Sequence, residues 1–174
     1  MFARLSRVCA VALGFFVAGC ATTPADYRDT TPPFDFKAFF NGPVKGHGIA
    51  YDWRGKVANR FTLKINTTWT GDKAAIDEVF TFADGSDMRR TWTIEKNGDL
   101  LTGTASDMPT GMTGEAAGFA LQMKYLFDMP YQGSTIRLRA SDWMYQVDPT
   151  TVINHVHLKK FGLGVGEMVI VFRK

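Results

Sequence analysis

Cysteine is almost absent from this sequence. Its two cysteines, Cys9 and Cys20, both lie within the first 20 residues of a 174-residue chain. The rest of the chain therefore has no thiol for a disulfide, a redox centre or a nucleophile. A domain of about 150 residues buries roughly 70% of its unfolded surface, so it needs no disulfide to fold.

Recognised catalytic motifs are also missing. The sequence has no Gly-x-Ser-x-Gly elbow, no Walker phosphate loop and no His-Glu-x-x-His pair. Gly162-Leu163-Gly164-Val165-Gly166 lacks the spacing of a dinucleotide-binding loop, and we interpret it as a turn or bulge before the last strand. The sequence does not favour an enzyme and implies no cofactor.

A strong excess of charge is missing too. The formal charge of +3 includes Arg4 and Arg7, and removing the first 19 residues leaves +1. A nearly neutral domain lacks the basic surface that nucleic-acid binding needs. We therefore predict no nucleic-acid partner.

The N-terminus has the pattern of a secretory signal peptide. Arg4 and Arg7 precede an apolar run from Val8 to Val17, which is too short to be a permanent bilayer span. Val17-Ala18-Gly19-Cys20 resembles the lipobox of bacterial lipoproteins. The resemblance implies cleavage after residue 19 and acylation of Cys20, and two or more acyl chains anchor a protein stably.

Two further predictions depend on this signal. Because Thr22 is not Asp, similarity to lipoprotein sorting in Gram-negative bacteria implies an outer-membrane anchor facing the periplasm. The alternative is an ordinary secretory signal with a chance cysteine at the cleavage point. Residues 20–33 are rich in Thr, Pro and Asp, which predicts an extended lipidated tether.

Residues 34–174 are predicted to form one β-domain. Asp35 to Gly42 has a capping residue, Phe at helical spacing and a terminating Gly, which predicts a short helical turn covering one end of the fold. Beyond it, apolar residues alternate with polar ones, as in half-buried strands. Tight-turn signals separate the segments, at Arg54-Gly55, Gly71-Asp72, Asp84-Gly85, Asn97-Gly98, Gln132-Gly133 and Asp148-Pro149.

Nine or ten such strands in succession favour an antiparallel up-and-down meander. A long twisted meander tends to close, since closure removes its exposed edges. We therefore predict a lipocalin-like β-barrel, with a β-sandwich as the alternative.

Four residues are candidates for a ligand contact or a buried polar site. Glu115 lies in the small-residue segment Gly111–Gly118, where glycines usually let a ligand or another backbone come close. Asp142 is predicted to face inward and to need a partner such as Arg89, Arg90 or Lys160. Asn154 shares the predicted inner face of its strand, and Lys160, a possible partner of Asp142, is the fourth candidate.

Aromatic and histidine side chains are the remaining candidates. Trp143 and Tyr145 point away from Asp142 along the strand and could contact a partner at the surface. His155 and His157 share an outer face, but zinc normally takes three or four protein ligands. We interpret the pair as solvent-facing and predict no metal site.

The chain resembles a bacterial lipoprotein family catalogued as domain of unknown function 3833. The resemblance covers nearly all of the chain after the signal. It implies no established activity. Its residues are the lipobox, Thr31 to Asp35, Phe39 to Pro43, Thr113 to Gly118, Asp142 to Tyr145, Ile153-Asn154, Lys160 to Gly162 and Val165 to Glu167.

Two function classes follow from these observations. The first is a lipid-anchored binding module that holds an acyl chain or another apolar small molecule, since an eight-stranded barrel can hold one small ligand. The second is a structural or assembly lipoprotein that docks an envelope protein through exposed Trp53, Trp143 or Tyr145.

Overall fold

A computed structural model describes residues 21–131 and 133–174. Residues 1–20, which hold the predicted signal peptide and Cys20, and Gln132 lie outside the described residues. A 3-10 helix (Pro24–Tyr27) and a short helix α1 (Phe36–Phe39) precede the strands. The strands are β1 (Gly42–Asp52), β2 (Val57–Thr70), β3 (Lys73–Phe82), β4 (Asp87–Asn97), β5 (Leu100–Ala105), β6 (Met112–Ala117), β7 (Ala120–Tyr131), β8 (Ser134–Asp148), β9 (Thr151–Lys160) and β10 (Leu163–Arg173).

The ten strands form a closed antiparallel barrel. Each strand pairs with its neighbours in sequence, and β10 pairs back onto β1. The predicted up-and-down barrel is confirmed, and the sandwich alternative is wrong. Closure pairs the two edges that a ten-stranded sheet would otherwise expose.

Alternation of buried and exposed side chains is strictest in β2, whereas β7 and β8 contain consecutive buried residues. In β2, Phe61, Leu63 and Ile65 are buried while the residues between them are exposed. The glycine-rich run starts in the turn between β9 and β10, which includes Gly162. It also contains a bulge, since the β9–β10 register shifts between Gly164 and Gly166. The interpretation of this glycine-rich run is therefore confirmed.

The predicted helical turn closes one end of the barrel. Asp35 accepts a hydrogen bond of 2.9 Å from the backbone N–H of Ala38, which caps α1. Phe36 and Phe39 are each 2% exposed, and the indole N–H of Trp69 donates to the Phe40 carbonyl at 3.1 Å. The phenylalanine face of α1 therefore seals this end against the core.

The segment before α1 packs on the barrel instead of forming an extended tether. The backbone N–H of Phe34 donates to the Gly118 carbonyl at 2.7 Å, and that of Phe119 donates to the Thr30 hydroxyl at 3.1 Å. Tyr27 packs edge-on against Phe119 and Trp143. The prediction of an extended chain is wrong for residues 24–33, because Gly118 and Phe119 at the β6–β7 hairpin hold this segment on the barrel.

The described part of the chain contains no helix that is long and apolar enough to cross a membrane.

Candidate functional site in the barrel interior

A cluster of polar side chains lies inside the apolar barrel. We call it the interior polar cluster, and its members come from β3, β4, the β5–β6 loop, β7, β8 and β9. Strand register brings them together, since Glu78 on β3 lies opposite Arg90 on β4. The members are Glu78, Arg90, Trp92, Asp107, Tyr125, Asp142 and Asn154.

Asp142 is the most strongly held acid of the cluster. It is 4% exposed, and one carboxylate oxygen accepts a hydrogen bond of 2.9 Å from the Tyr125 hydroxyl. The Asn154 amide donates to the other oxygen and to the Trp143 carbonyl, the latter at 2.8 Å. Burial raises the pKa of Asp142 to about 6, against the opposing effect of these hydrogen bonds and of Arg90.

Glu78 forms the second half of the cluster with Arg90. Its carboxylate accepts a hydrogen bond of 3.0 Å from the indole N–H of Trp92. Burial raises the pKa of Glu78 to about 7, although the positive charge of Arg90 opposes this shift. At neutral pH this carboxyl is therefore divided between its protonated and ionised forms.

Arg90 is paired with an acid that sequence reasoning did not single out. Its guanidinium lies 2.5 Å from the Asp107 carboxylate, and the side chains are 12% and 25% exposed. The same guanidinium lies 5.5 Å from the Trp92 ring centroid and 5.6 Å from that of Phe127. Asp107 comes from the β5–β6 loop, so a loop residue completes the cluster.

Two buried atoms of this ion pair have no hydrogen-bond partner among the described residues. They are Nε of Arg90, a donor, and Oδ1 of Asp107, an acceptor. An unpartnered buried polar atom costs about 1–3 kcal/mol, so such atoms are rare in a folded core. A molecule that offers one acceptor and one donor would satisfy both.

All members of the interior polar cluster except Asp107 line a narrow, mainly apolar cavity. The space open to the centre of a water-sized sphere is about 60 Å³, although the empty space between the lining atoms totals about 600 Å³ and is partly continuous with solvent. The smaller value describes the enclosed room better, because the larger one includes solvent. The cavity is therefore a slot between side chains, lined by Phe36, Phe40, Leu63, Met123, Ile170 and Phe172 among others.

The four candidate polar residues are divided by the structure. Asp142 and Asn154 lie side by side in the interior. Glu115 lies on the outer face, opposite Gln122, because its neighbour Gly114 faces inward against Met123. Lys160 lies at the end of β9, with its amine 5.6 Å from the Phe161 ring.

The reading of Glu115 as a cavity carboxylate is therefore wrong. A one-residue step along a strand moves a side chain to the opposite face. The glycine signal around it does mark a close approach, since a Cβ on Gly118 would lie 1.9 Å from the Tyr27 carbonyl oxygen. The approaching group is the N-terminal segment.

Trp143 and Tyr145 lie on the outer face, as their strand positions predict. Their rings stack at 5.9 Å with 3° between the planes, and Tyr27 packs on both. Trp143 is only 6% exposed, so the prediction of a free surface is wrong at this residue. Trp53 is 68% exposed in the turn between β1 and β2.

A sequence signal existed for Glu78, which was missed. Glu78 shares a strand face with Ile76 and Phe80, just as Arg90, a predicted candidate partner of Asp142, shares one with Trp92. A charged residue on an apolar strand face is either paired in the core or part of a site. Asp107 had no such signal, because it lies in a loop.

Comparison with known proteins identifies the family and the fold. The family model described as "Protein of unknown function (DUF3833)" matches residues 14–174, so the chain belongs to this family. No curated protein matches the chain. The predicted resemblance to DUF3833 is thus confirmed, and the family description assigns no activity.

Two solved structures have similar barrels. One is a protein of unknown function from the DUF3598 family of Nostoc punctiforme, with a TM-score of 0.59 and 9% identity over 83% of this chain. This chain spans 50% of that protein's length. The other is an S-type phycobiliprotein lyase from Guillardia theta, with a TM-score of 0.58 and 9% identity over 81% of this chain and 93% of the lyase. At such low identity these similarities show the fold alone.

Proposed function

We propose that this DUF3833 protein binds one slim, mainly apolar molecule inside its barrel, and that the ligand is an acyl chain with an uncharged polar end. The observation that supports this proposal most directly is the unpartnered Nε of Arg90, because the Arg90 side chain lines the narrow apolar cavity. Its ion-pair partner Asp107 carries a second unpartnered atom, Oδ1. The phycobiliprotein lyase from Guillardia theta has a similar barrel, and a small-molecule site is compatible with this architecture.

The shape of the cavity favours a chain over a bulky ring system. The enclosed volume of about 60 Å³ is well below the roughly 300–1,000 Å³ of common ligand pockets, so the ligand must be thin and the lining side chains must move to admit it. Methionine side chains line the cavity at Met123, Met144 and Met168, and this flexible residue adapts to a bound chain.

The charges of the cluster favour an uncharged polar end. The interior polar cluster contains three carboxyl groups, of Glu78, Asp107 and Asp142, against the single guanidinium of Arg90. A free fatty-acid carboxylate would bring a further negative charge next to these acids, and like charges in a low-dielectric interior repel strongly. An amide or hydroxyl can accept from Arg90 Nε and donate to Asp107 Oδ1.

We also propose that the protein is a lipid-anchored outer-membrane lipoprotein facing the periplasm. In this proposal residues 1–19 are removed and Cys20 carries the acyl groups. Pro24 is buried against the barrel, and an extended chain spans at most about 3.6 Å per residue. The barrel would then lie within roughly 15 Å of the anchored residue, close enough to exchange a lipid with the bilayer.

Native mass spectrometry of the protein, purified from its own host and then extracted for lipids, tests the binding proposal. We expect a stoichiometric neutral acyl species in the wild type. Arg90→Met should reduce its occupancy at least tenfold. The control Arg137→Met, at the exposed pair with Asp128, should leave occupancy unchanged.

Two outcomes would overturn the proposal: an empty wild-type barrel, or full occupancy in a folded Arg90→Met variant. If Arg90→Met does not fold, Asp107→Asn preserves the shape of the pair and should reduce occupancy for the same reason. Glu115→Phe lies outside the barrel and serves as a second control, with no loss expected.

A docking function is the second candidate. Two adjacent hairpins, β1–β2 and β9–β10, expose Trp53 at 68%, Phe161 at 93% and Leu163 at 73%. Exposed aromatic side chains are frequent anchors of protein interfaces. Crosslinking in intact cells discriminates the two candidates, since docking requires a specific adduct that the Trp53→Ser, Phe161→Ser double variant loses.

A further inference from the structure

Three side chains with metal-ligand chemistry meet on the outer face of the barrel. His155 and His157 are two apart on β9, and Glu167 on β10 lies directly opposite His157. The two imidazole centroids are 4.0 Å apart. Glu167 Oε2 lies 2.8 Å from His155 Nε2, and Glu167 Oε1 lies 3.6 Å from His157 Nδ1.

We propose that His155, His157 and Glu167 form a binding site for Zn²⁺ or a similar divalent transition-metal ion. One ligand atom from each residue lies within 4.8 Å of the other two. In tetrahedral zinc sites with bonds of about 2.0–2.2 Å, ligand atoms lie about 3.4 Å apart. Small side-chain rotations therefore bring the three ligand atoms to the spacing of a tetrahedral site, and neither strand has to move.

The donor set determines which metals fit. Two imidazole nitrogens and one carboxylate oxygen suit Zn²⁺, Cu²⁺ and Ni²⁺, whereas Mg²⁺ and Ca²⁺ prefer oxygen ligands throughout. Three protein ligands leave one coordination position for water or for a group from another molecule. The Irving–Williams order places Cu²⁺ above Zn²⁺ in affinity, so both ions belong in the test.

Metal binding at such a donor set depends on pH. Ligation requires neutral imidazoles and an ionised carboxylate, so binding of the ion releases protons and weakens as the pH falls.

The site is accessible and has room beside it. The side chains of His155, His157 and Glu167 are 34%, 40% and 49% exposed. A surface depression next to the site is lined by His155, Glu167 and the β1–β2 turn with Trp53. A ligand on the open coordination position would lie in this depression.

Metal titration of protein that has no polyhistidine tag tests the proposal. The affinities of Zn²⁺ and Cu²⁺ are measured by competition with a chromophoric chelator, and Co²⁺ serves as a spectroscopic probe of coordination. We expect one ion per chain and at least tenfold weaker binding in each of His155→Ala, His157→Ala and Glu167→Gln.

His47→Ala is the matched control. His47 is exposed on β1 and lies four register positions from Tyr51, the residue that pairs with Glu167, a separation of roughly 13 Å. Its removal should leave Zn²⁺ affinity unchanged. The proposal is overturned if wild-type protein binds no Zn²⁺, or if a folded His155→Ala, His157→Ala double variant binds as tightly as the wild type.

Discussion

The indole N–H of Trp92 donates a hydrogen bond of 3.0 Å to the carboxylate of Glu78 inside the barrel. The two residues come from neighbouring strands, and Trp92 lies opposite Ile76, one inward-facing position from Glu78. The bond holds an acid in the core whose pKa burial raises to about 7. The protonation of Glu78 therefore links the stability of the barrel to pH.

Replacing Glu78 by Gln should flatten part of the pH dependence of stability. The folded-state pKa of Glu78 is about 7, above its ordinary value of 4.5, so the folded chain binds more protons between these values. The contribution of Glu78 to the stability of the folded state is greatest below pH 4.5, and it is lost as the pH rises through 7. As the pH is raised from 4.5 to 8, the free energy of unfolding of the wild type should fall relative to that of Glu78→Gln. The difference should be on the order of 3 kcal/mol in favour of the variant.

Urea denaturation at several pH values measures this difference. Glu95→Gln is the control, since Glu95 is an exposed partner of Lys73, and it should follow the wild-type pH profile. Parallel profiles for wild type and Glu78→Gln would contradict the assigned role of Glu78.

The seal formed by α1 should be energetically important. Phe39 is 2% exposed, and Phe→Ala in a core typically costs about 3–5 kcal/mol. We expect a loss in this range for Phe39→Ala by chemical denaturation. Phe161→Ala removes the same atoms from a side chain that is 93% exposed and should change stability by less than about 0.5 kcal/mol.

Gly118 should control whether the N-terminal segment stays on the barrel. A Cβ there would lie 1.9 Å from the Tyr27 carbonyl oxygen and 2.0 Å from the Thr30 hydroxyl, at a φ of +52°. Gly118→Ala should therefore displace the segment while the barrel stays folded. Tryptic cleavage after the exposed Arg28 should accelerate at least tenfold.

Gly55→Ala separates this clash from backbone strain. Gly55 also has a positive φ, of +77°, but a Cβ there meets no atom within 4 Å. The Gly55→Ala variant should lose about 1–2 kcal/mol of stability through backbone strain, and its rate of cleavage after Arg28 should be unchanged. Equal cleavage rates in both variants would show that Gly118 does not hold the segment.

The charge of the ligand should determine how its binding depends on pH. Burial raises the pKa of Glu78 to about 7 and that of Asp142 to about 6, so lowering the pH removes negative charge from the cavity. A long-chain fatty acid should bind at least tenfold more tightly at pH 5.5 than at pH 8. Its methyl ester should show no such change.

Isothermal titration of both ligands across this range checks the prediction. In Glu78→Gln the pH dependence for the fatty acid should weaken, because one titrating acid is gone. Tighter binding of the fatty acid than of its ester at pH 8 would contradict the proposed uncharged ligand.

Local patterns were sufficient to predict the architecture. Alternation such as Phe61-Thr62-Leu63-Lys64-Ile65 depends on only a few neighbouring residues, and turn glycines act on the residues beside them. The capped helical turn at Asp35 is equally local. These predictions are confirmed because each depends on interactions within one or two strands.

The interior polar cluster depends on contacts that are remote in sequence. Asp142 was predicted to face inward, yet its partners are Tyr125 and Asn154 and not a basic residue hydrogen-bonded to it. Asp107 meets Arg90 from a loop 17 residues away. Neither pairing follows from strand periodicity, which gives the face of a residue but not its height in the barrel.

The sequence by itself determined that the chain forms a meander of alternating strands with a phenylalanine turn at its start, because those properties arise from near neighbours. Tertiary structure alone decided which residues meet. Barrel closure and strand stagger set the level of every side chain, and they brought Glu78, Arg90 and Asp142 into one cavity. The same geometry placed Glu167 beside His155 and His157, and it left Glu115 on the outer face.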